Sequence, residues 1–278
     1  MRIAPRHTQA AAVAVLGGAT ALTLAVLLFI IVFVLEKGLP VLGPRFLLTG
    51  PQDMGRAGGI FPTLVGTALL PLLALAIATP LGVGTAVYLC EYTRESRLTR
   101  AIRFGTDCLA GIPSIIFGLF GFILFVTTLR MGWSILSGGL TLAFMVLPTI
   151  IRTSEEAIRA VPRAYREVGF SLGATRWQTV RTVVLPNALP GIVTGVMLGV
   201  GRSIGETAAV IFTAGSSLRL PSSLFDSTRT MAVHFYILAR EGISAENAYG
   251  TAAALVIAVL AVNLAAYGLM HRVMAKRT

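Results

Sequence analysis

Long stretches without a charged side chain set what this chain can fold into. They run from Thr8 to Leu35, Ala57 to Cys90, Leu109 to Leu129, Met131 to Ile151, Pro186 to Ser217 and Asn247 to Met270. Arg202 and Glu206 alone interrupt the fifth, and Pro62, Pro71 and Pro80 punctuate the second. Crossing a hydrocarbon core takes about 20 residues of helix, and each run supplies that length. Composition agrees: 55% of the 278 residues are hydrophobic, 13% are charged, and the mean hydropathy is +0.80, too apolar for a soluble domain of this size. The runs predict an all-α integral membrane protein with six transmembrane helices. No repeat, low-complexity tract or linker divides residues 1–278, so one domain is expected. Residues 1–56 supply an N-terminal helix and first outside loop, and residues 57–270 supply the core. The first run is longer than a signal-peptide core, and no small-x-small cleavage site precedes Glu36-Lys37, so it is expected to remain as a helix.

The formal net charge of +11 is organised by topology. With the N-terminus inside, 15 basic residues fall inside: Arg2 and Arg6, the arginines from Arg94 to Arg103 and from Arg152 to Arg181, then Arg272, Lys276 and Arg277. Seven fall outside, namely Lys37, Arg45, Arg56, Arg130, Arg219, Arg229 and Arg240. By the positive-inside rule the chain is multi-pass in the cytoplasmic membrane with both termini cytoplasmic, and nucleic acid is not its partner. No Cys/His cluster has metal-ligand spacing, so neither metal nor cofactor is expected. His7, His234 and His271 are expected as solvated or interfacial side chains. Cys90 and Cys108, at cytoplasmic helix ends, are not expected to form a disulfide. Glu91 and Asp107 flank the basic second inside loop and are expected as a solvated charge cluster. Arg130–Ser134 reads as a tight outside turn and Arg219–Glu246 as a polar outside loop.

Ionisable residues inside a membrane helix cost free energy and mark function by default. Gly191, Gly195, Gly199, Arg202, Glu206 and Thr213 fall within an arc of about 80° on one helix face. Two readings of Arg202 and Glu206 stand side by side: a substrate pathway, and a clamp that fixes helix orientation. The glycines suit close helix approach. Ser114 after Pro113 marks either a proline kink or a break exposing backbone groups.

The inside segment 152–185 is long for a connection and carries ordered signals. Pro162 suits a first helical position. The run Pro162–Leu172 meets Gly173, a natural left-handed C′ residue. Thr175-Arg-Trp-Gln178 is a capping box that opens a second helix, ending near Pro186. Such a helix–glycine–helix knuckle is rigid.

Here the sequence resembles a known family. Glu167, Gly173, Val183, Leu185 and Pro186 match the E-A-A-x3-G-x9-I-x-L-P pattern of ABC importer permeases, with Val168 and Gly169 in place of the alanines and Val183 in place of isoleucine. In that family this segment is the coupling helix, so the resemblance assigns contact with an ATPase to Glu167, Val168, Gly169, Gly173, Ala174 and Pro186. Three further stretches resemble the phosphate-specific branch: Gly111-Ile-Pro-Ser-Ile-Ile-Phe-Gly-Leu-Phe-Gly121, Leu147-Pro-Thr-Ile-Ile-Arg-Thr-Ser-Glu-Glu-Ala157 and Gly201-Arg-Ser-Ile-Gly-Glu-Thr207. Phe212-Thr-Ala-Gly215 and Val233-His-Phe-Tyr236 are similar to its A-type subunit. The resemblance covers roughly residues 57 to 270. It implies a type I ABC importer permease fold with a cytoplasmic coupling helix. It also implies a hetero-dimer with a paralogous permease subunit, two copies of an ATPase subunit, and an extracytoplasmic phosphate-binding protein. The only lysines are Lys37 and Lys276; no Gly-Lys-Ser/Thr exists, so the chain has no P-loop and is not expected to be an enzyme. Open alternatives are a permease for sulfate, molybdate or phosphonate, the C-type paralogue, and a channel or intramembrane enzyme unrelated to ATP.

Overall fold

The computed structural model describes residues 5–275. Helix α1 (Pro5–Gly38) is followed by a short α2 (Pro44–Leu48) and a two-residue hairpin, β1 (Pro51–Gln52) antiparallel to β2 (Ala57–Gly58). Then come α3 (Phe61–Val87), α4 (Arg97–Ala110), α5 (Ser114–Gly121) and α6 (Ile135–Ala160). The knuckle is α7 (Arg163–Ser171) and α8 (Arg176–Thr179). The chain closes with α9 (Leu185–Ile204), α10 (Ala208–Thr213), α11 (Met231–Arg240) and α12 (Ala245–Ala275). Among the described residues five helices are long and apolar enough to cross a membrane, and a bent pair brings the number to six.

The core lies where α3 and α6 meet. Leu70, Ala74 and Ala78 of α3 pack with Leu142, Val146 and Ile150 of α6, and α10 adds Ala209 and Val210. A second apolar cluster at the knuckle end joins Ala86 and Val87 to Ile158, Val161, Val180, Val184 and Ala188. Helix α1 presents its leucines, valines and phenylalanines outward and packs on α12, where the Gly38 backbone lies against Tyr249 and Ala253.

The third apolar run, Leu109–Leu129, is not one straight helix. α4 and the Ser114–Thr128 segment meet at 103°. Ser114–Thr128 is α5 continued by the π-helical stretch Phe122–Thr128. At 1.5 Å per residue it covers roughly 22 Å of a core about 30 Å thick. The bend has a local cause. Pro113 carries no N–H and keeps Ile112 out of the helical region, so α4 stops at Ala110. α4 itself starts inside the expected charged loop, on a Ser96/Thr99 capping box.

The knuckle's second helix does not end at Pro186. α8, a π-helical stretch Val180–Val184, and α9 form one 29-residue span from Arg176 to Ile204. Pro186 comes just after the π stretch, and the wider turn there accommodates its ring and its missing N–H.

The expected polar loop Arg219–Glu246 contains α11, whose Met231, Ala232, Val233 and Leu238 are buried. Thr230 caps it by accepting from the Val233 N–H, and Thr67 of α3 accepts from the Met231 N–H. It is apolar but, at ten residues, too short for a span. Arg130–Ser134 is a turn, with Arg130 and Gly132 at positive φ and Ser134 capping α6. Arg2, Lys276 and Arg277, and with them both chain ends, lie outside the described residues, as do the side chains of His7 and His271.

Candidate functional site

Three glycines bring α9 onto α6 and α3. A Cβ on Gly191 would meet that of Ala157 at 2.5 Å, one on Gly195 would collide with Thr153, and one on Gly199 would touch Leu75 at 3.2 Å. The ladder therefore packs helices, as its spacing implied. Leu75 and Ile150, the neighbours of Gly199, sit near the middles of α3 and α6. Ile204 ends α9 five residues on, less than two turns beyond that level.

Here the expectation of one continuous helix face fails. α9 ends at Ile204 with Gly205 as its C-cap, and α10 starts at Ala208. Glu206 lies in the break, its N–H reaching the Ser203 carbonyl at 3.4 Å. Thr213 is part of α10 and is buried against Gly121 and Thr141, away from the break. Gly205 supplies the local reason: it costs a helix interior about 1 kcal/mol, and Glu206 then stands free of the helical ladder.

The break places Arg202 and Glu206, both half-buried, beside the start of α5. The Glu206 carboxylate lies beside Ser114, and Arg202 is close enough to act on it electrostatically. The two do not close a direct ion pair; those among the described residues lie at the knuckle end. Ser114 thus sits at a true helix break. Two helices, α5 after Pro113 and α10 after Thr207, begin at this level and pack closely, Gly118 against Ala209. A cavity of about 1030 Å³ opens from Thr207 and Ala208 toward the end opposite the knuckle, lined by Ile115, Leu119, Phe212, Trp133, Tyr236 and Arg240. Helix N-termini carry free N–H groups and partial positive charge. With a guanidinium beside them, the break suits an anion.

The knuckle has the expected geometry with one shift: Pro162 is the N-cap and Arg163 the first helical residue of α7. Gly173 has φ +78°, its N–H donates to the Phe170 carbonyl, and the Ala174 N–H donates to the Gly169 carbonyl, both at 3.0 Å. That is a complete Schellman motif. Thr175 and Gln178 form the reciprocal capping box. Gly169 is buried against Thr179, 3.1 Å from where a Cβ would be. Glu167, Val168, Phe170 and Trp177 are exposed, as is Leu172 at 83%.

The sequence missed what holds the knuckle down. Glu91 is not solvated: its side chain is 9% exposed and accepts from Arg166 Nη2 at 2.7 Å and Nε at 3.0 Å. Nearby, Arg103 and Arg159 both pair with Glu155. Asp107 stays exposed, bonded to Arg152 at 3.2 Å. A residue at the end of an apolar run, followed by charges, offered a signal for burial; its partner 75 positions away could not be matched from one sequence.

His234 is also buried, at 1% exposure. Arg229 donates from Nε to the Ser216 carbonyl at 2.9 Å, and its Nη1 lies 3.3 Å from His234 Nδ1. Burial, reinforced by the Arg229 charge, pushes the imidazole pKa down to about 4. The ring is therefore neutral and accepts from Arg229.

Residues 78–278 match the family described as the binding-protein-dependent transport system inner membrane component. The probable ABC transporter permease protein YqgI of Bacillus subtilis is 34% identical over 275 residues, covering 93% of this chain and 94% of that one. The phosphate transport system permease protein PstA 1 of Mycobacterium tuberculosis is 38% identical over 215 residues, covering 76% and 70%. A chain of a bacterial alginate ABC transporter, solved in complex with an alginate pentasaccharide-bound periplasmic protein, superposes with TM-score 0.69 at 16% identity, covering 94% of this chain and 93% of that one. That last likeness is one of fold.

Proposed function

The chain belongs to the family of binding-protein-dependent transport system inner membrane components, and from that membership we propose that it is the A-type permease subunit of an ATP-driven importer and forms half of the pathway for inorganic phosphate. Its fold is that of the type I ABC importer permeases. Its relatives named as phosphate transport permeases span several bacteria and support the substrate. The observation that carries the reading is the break between α9 and α10 within an apolar run, where Arg202, Ser114 and two helix starts converge.

Arg202 is always charged and offers a planar fork for phosphate oxygens. An arginine at mid-membrane costs about 2.5–3.5 kcal/mol on insertion scales. Glu206 offsets part of that cost while the pathway is empty, and an entering phosphate takes over as the anion near Arg202. Contact through one fork and a hydroxyl keeps the hold weak, as passage requires.

The knuckle faces the cytoplasm and docks on an ATPase subunit through Glu167, Val168 and the exposed Phe170, Leu172 and Trp177, with Gly173 and Ala174 setting the turn. Pro186 lies on the helix that leaves it. Because Arg176–Ile204 is continuous, displacement at the knuckle reaches the break without crossing a loop. A paralogous permease subunit completes the pathway, two ATPase copies drive it, and an extracytoplasmic binding protein delivers phosphate. The chain itself needs no cofactor.

The test is transport by the assembled complex in vesicles. Radiolabelled phosphate should accumulate on ATP addition, and sulfate and molybdate should not. ATP-dependent accumulation of another oxyanion without phosphate would reject the substrate. Accumulation without an ATPase subunit would reject the whole reading.

A further inference from the structure

The knuckle is joined covalently to α6 through Val161-Pro162 and to α9 through the continuous helix from Arg176. It has no covalent link to α3. Yet the end of α3, continued by the π-helical Tyr88–Tyr92, is gripped from the knuckle by polar contacts. Arg166 gives Nε and Nη2 to Glu91 at 3.0 and 2.7 Å, Nη2 also to the Ile158 carbonyl at 2.9 Å, and Nη1 to the Val161 carbonyl at 2.7 Å. Arg176, across the glycine turn, reaches the Glu91 backbone carbonyl at 3.3 Å, and its guanidinium lies 6.0 Å from the Tyr92 ring centroid.

Both helices of the knuckle therefore hold one residue pair at the end of α3. The surrounding contacts of Ala86, Val87, Val161 and Val180 are apolar; they are non-directional and tolerate sliding. A guanidinium whose donors are spent on a carboxylate and two carbonyls fixes one geometry. Both side chains are largely removed from water, at 16% and 9% exposure, where such a pair does not trade partners freely with solvent.

We infer that Arg166 and Glu91 are positioning residues for transport: they lock the end of α3 to the knuckle, so that α3 travels with α6 and α9 when the ATPase moves. This rests on the proposed docking of the knuckle on an ATPase. α3 carries Leu70 and Ala74 into the central core and Leu75 against Gly199, just before the break. An α3 left behind would shear that packing and leave the break in its resting shape while ATP is spent.

The test uses the whole complex with Glu91→Gln, which keeps an acceptor and loses the charge, and Arg166→Lys, which keeps the charge and loses the fork. Leu172→Cys, in the exposed turn, reports docking by cross-linking to the ATPase subunit. Both variants should assemble, cross-link and hydrolyse ATP as the parent does. Phosphate uptake per ATP should fall at least tenfold for Glu91→Gln and less for Arg166→Lys. Spin labels at Tyr88→Cys and Ala164→Cys, both exposed and outside the clamp and the docking surface, should keep one separation in nucleotide-free and ATP-bound parent complexes, and show two in Glu91→Gln. Unchanged uptake per ATP in an assembled Glu91→Gln complex overturns the inference and leaves the docking intact. Loss of the ATPase from Glu91→Gln also overturns it, because the pair would then serve only to fold the knuckle. Failure of Leu172→Cys to cross-link in the parent overturns the docking reading itself.

Discussion

Adding one methyl group at Gly195 should separate α9 from α6. Its new Cβ would collide with Thr153 Oγ1 and lie 2.8 Å from Thr153 Cβ. Carbon atoms prefer about 3.5–4.0 Å. Rotating Thr153 moves the hydroxyl away and sacrifices its bond to the Thr149 carbonyl, now 2.8 Å, worth about 1 kcal/mol. Rotation does nothing for the Cβ–Cβ contact, so the helices must part by roughly 1 Å. Overpacking of this kind costs about 1–3 kcal/mol, and the better helix propensity of alanine returns about 1 kcal/mol. The expected net is a loss of about 2 kcal/mol. Gly84→Ala is the control: Gly84 is in α3, exposed, with nothing within 4 Å of an added Cβ, and it should gain about 1 kcal/mol from helix propensity alone. Reversible unfolding in mixed detergent micelles measures both. Thr153→Ala removes the clashing oxygen and should recover about 1 kcal/mol of the Gly195→Ala loss in a double-mutant cycle. If Gly195→Ala proves as stable as Gly84→Ala, the ladder does not set the α9–α6 distance, and the position of the break loses its support.

Arg202→Gln keeps hydrogen-bonding capacity without the charge. It should leave the complex assembled and lower phosphate uptake at least tenfold, about the effect of 1.4 kcal/mol, whereas a structural clamp would show damaged assembly in both Arg202→Gln and Glu206→Gln. Gly173→Val puts a β-branched residue at φ +78°, at a strain of about 1–3 kcal/mol; ATP hydrolysis should continue with little uptake, and coupled transport at the parent rate would sink the role of the turn. Ala164→Cys, exposed on α7, should react with an impermeant thiol reagent from the cytoplasm and Arg130→Cys from outside, with the reverse pattern rejecting the topology. His234 gives a pH signature. Its folded pKa of about 4 lies below the unfolded value of about 6.5, so the unfolded state binds the extra proton. Its contribution is complete above pH 6.5 and is lost as pH falls toward 4, by about 2 kcal/mol at pH 5. Melting curves between pH 7.5 and 5 should show a fall that His234→Gln flattens; equal slopes would refute the buried neutral imidazole.

What was legible in the sequence follows from how far apart the deciding residues are. Gly173, Thr175 and Gln178 act within one turn of each other, so the knuckle could be read almost atom by atom. The glycine ladder repeats within one helix and announced a close approach, though not that α6 would be the partner. The bends were harder. A window of uncharged residues averages over Pro113 and Gly205, single positions that end a helix through one missing N–H or one missing Cβ. Hydropathy alone therefore counted Leu109–Leu129 as a full crossing and carried Pro186–Ser217 straight through its break. Glu91 reads as solvated and His234 as solvated or interfacial because polar residues outside apolar runs usually are. Their burial depends on partners from Gly55 to Arg166, which no local pattern exposes.

The break and the clamp also explain each other's position. A helix that only spanned the bilayer would gain nothing from a glycine and a carboxylate at its centre, and a surface hairpin would gain nothing from burying an arginine at its base. Both costs fall on the same mechanical line: knuckle, continuous helix from Arg176 to Ile204, then the gap before Ala208. Stiffness is needed along that line and freedom at its end. The Schellman turn, the capping box and the Arg166–Glu91 pair supply the stiffness. Gly205, with nothing within 4 Å of an added Cβ, supplies the freedom. Gly205→Ala therefore fits sterically and should act by extending the helix through Glu206. It should slow phosphate passage while leaving docking and ATP binding untouched. Faster uptake in that variant would show that the break is a passive gap and not the moving part.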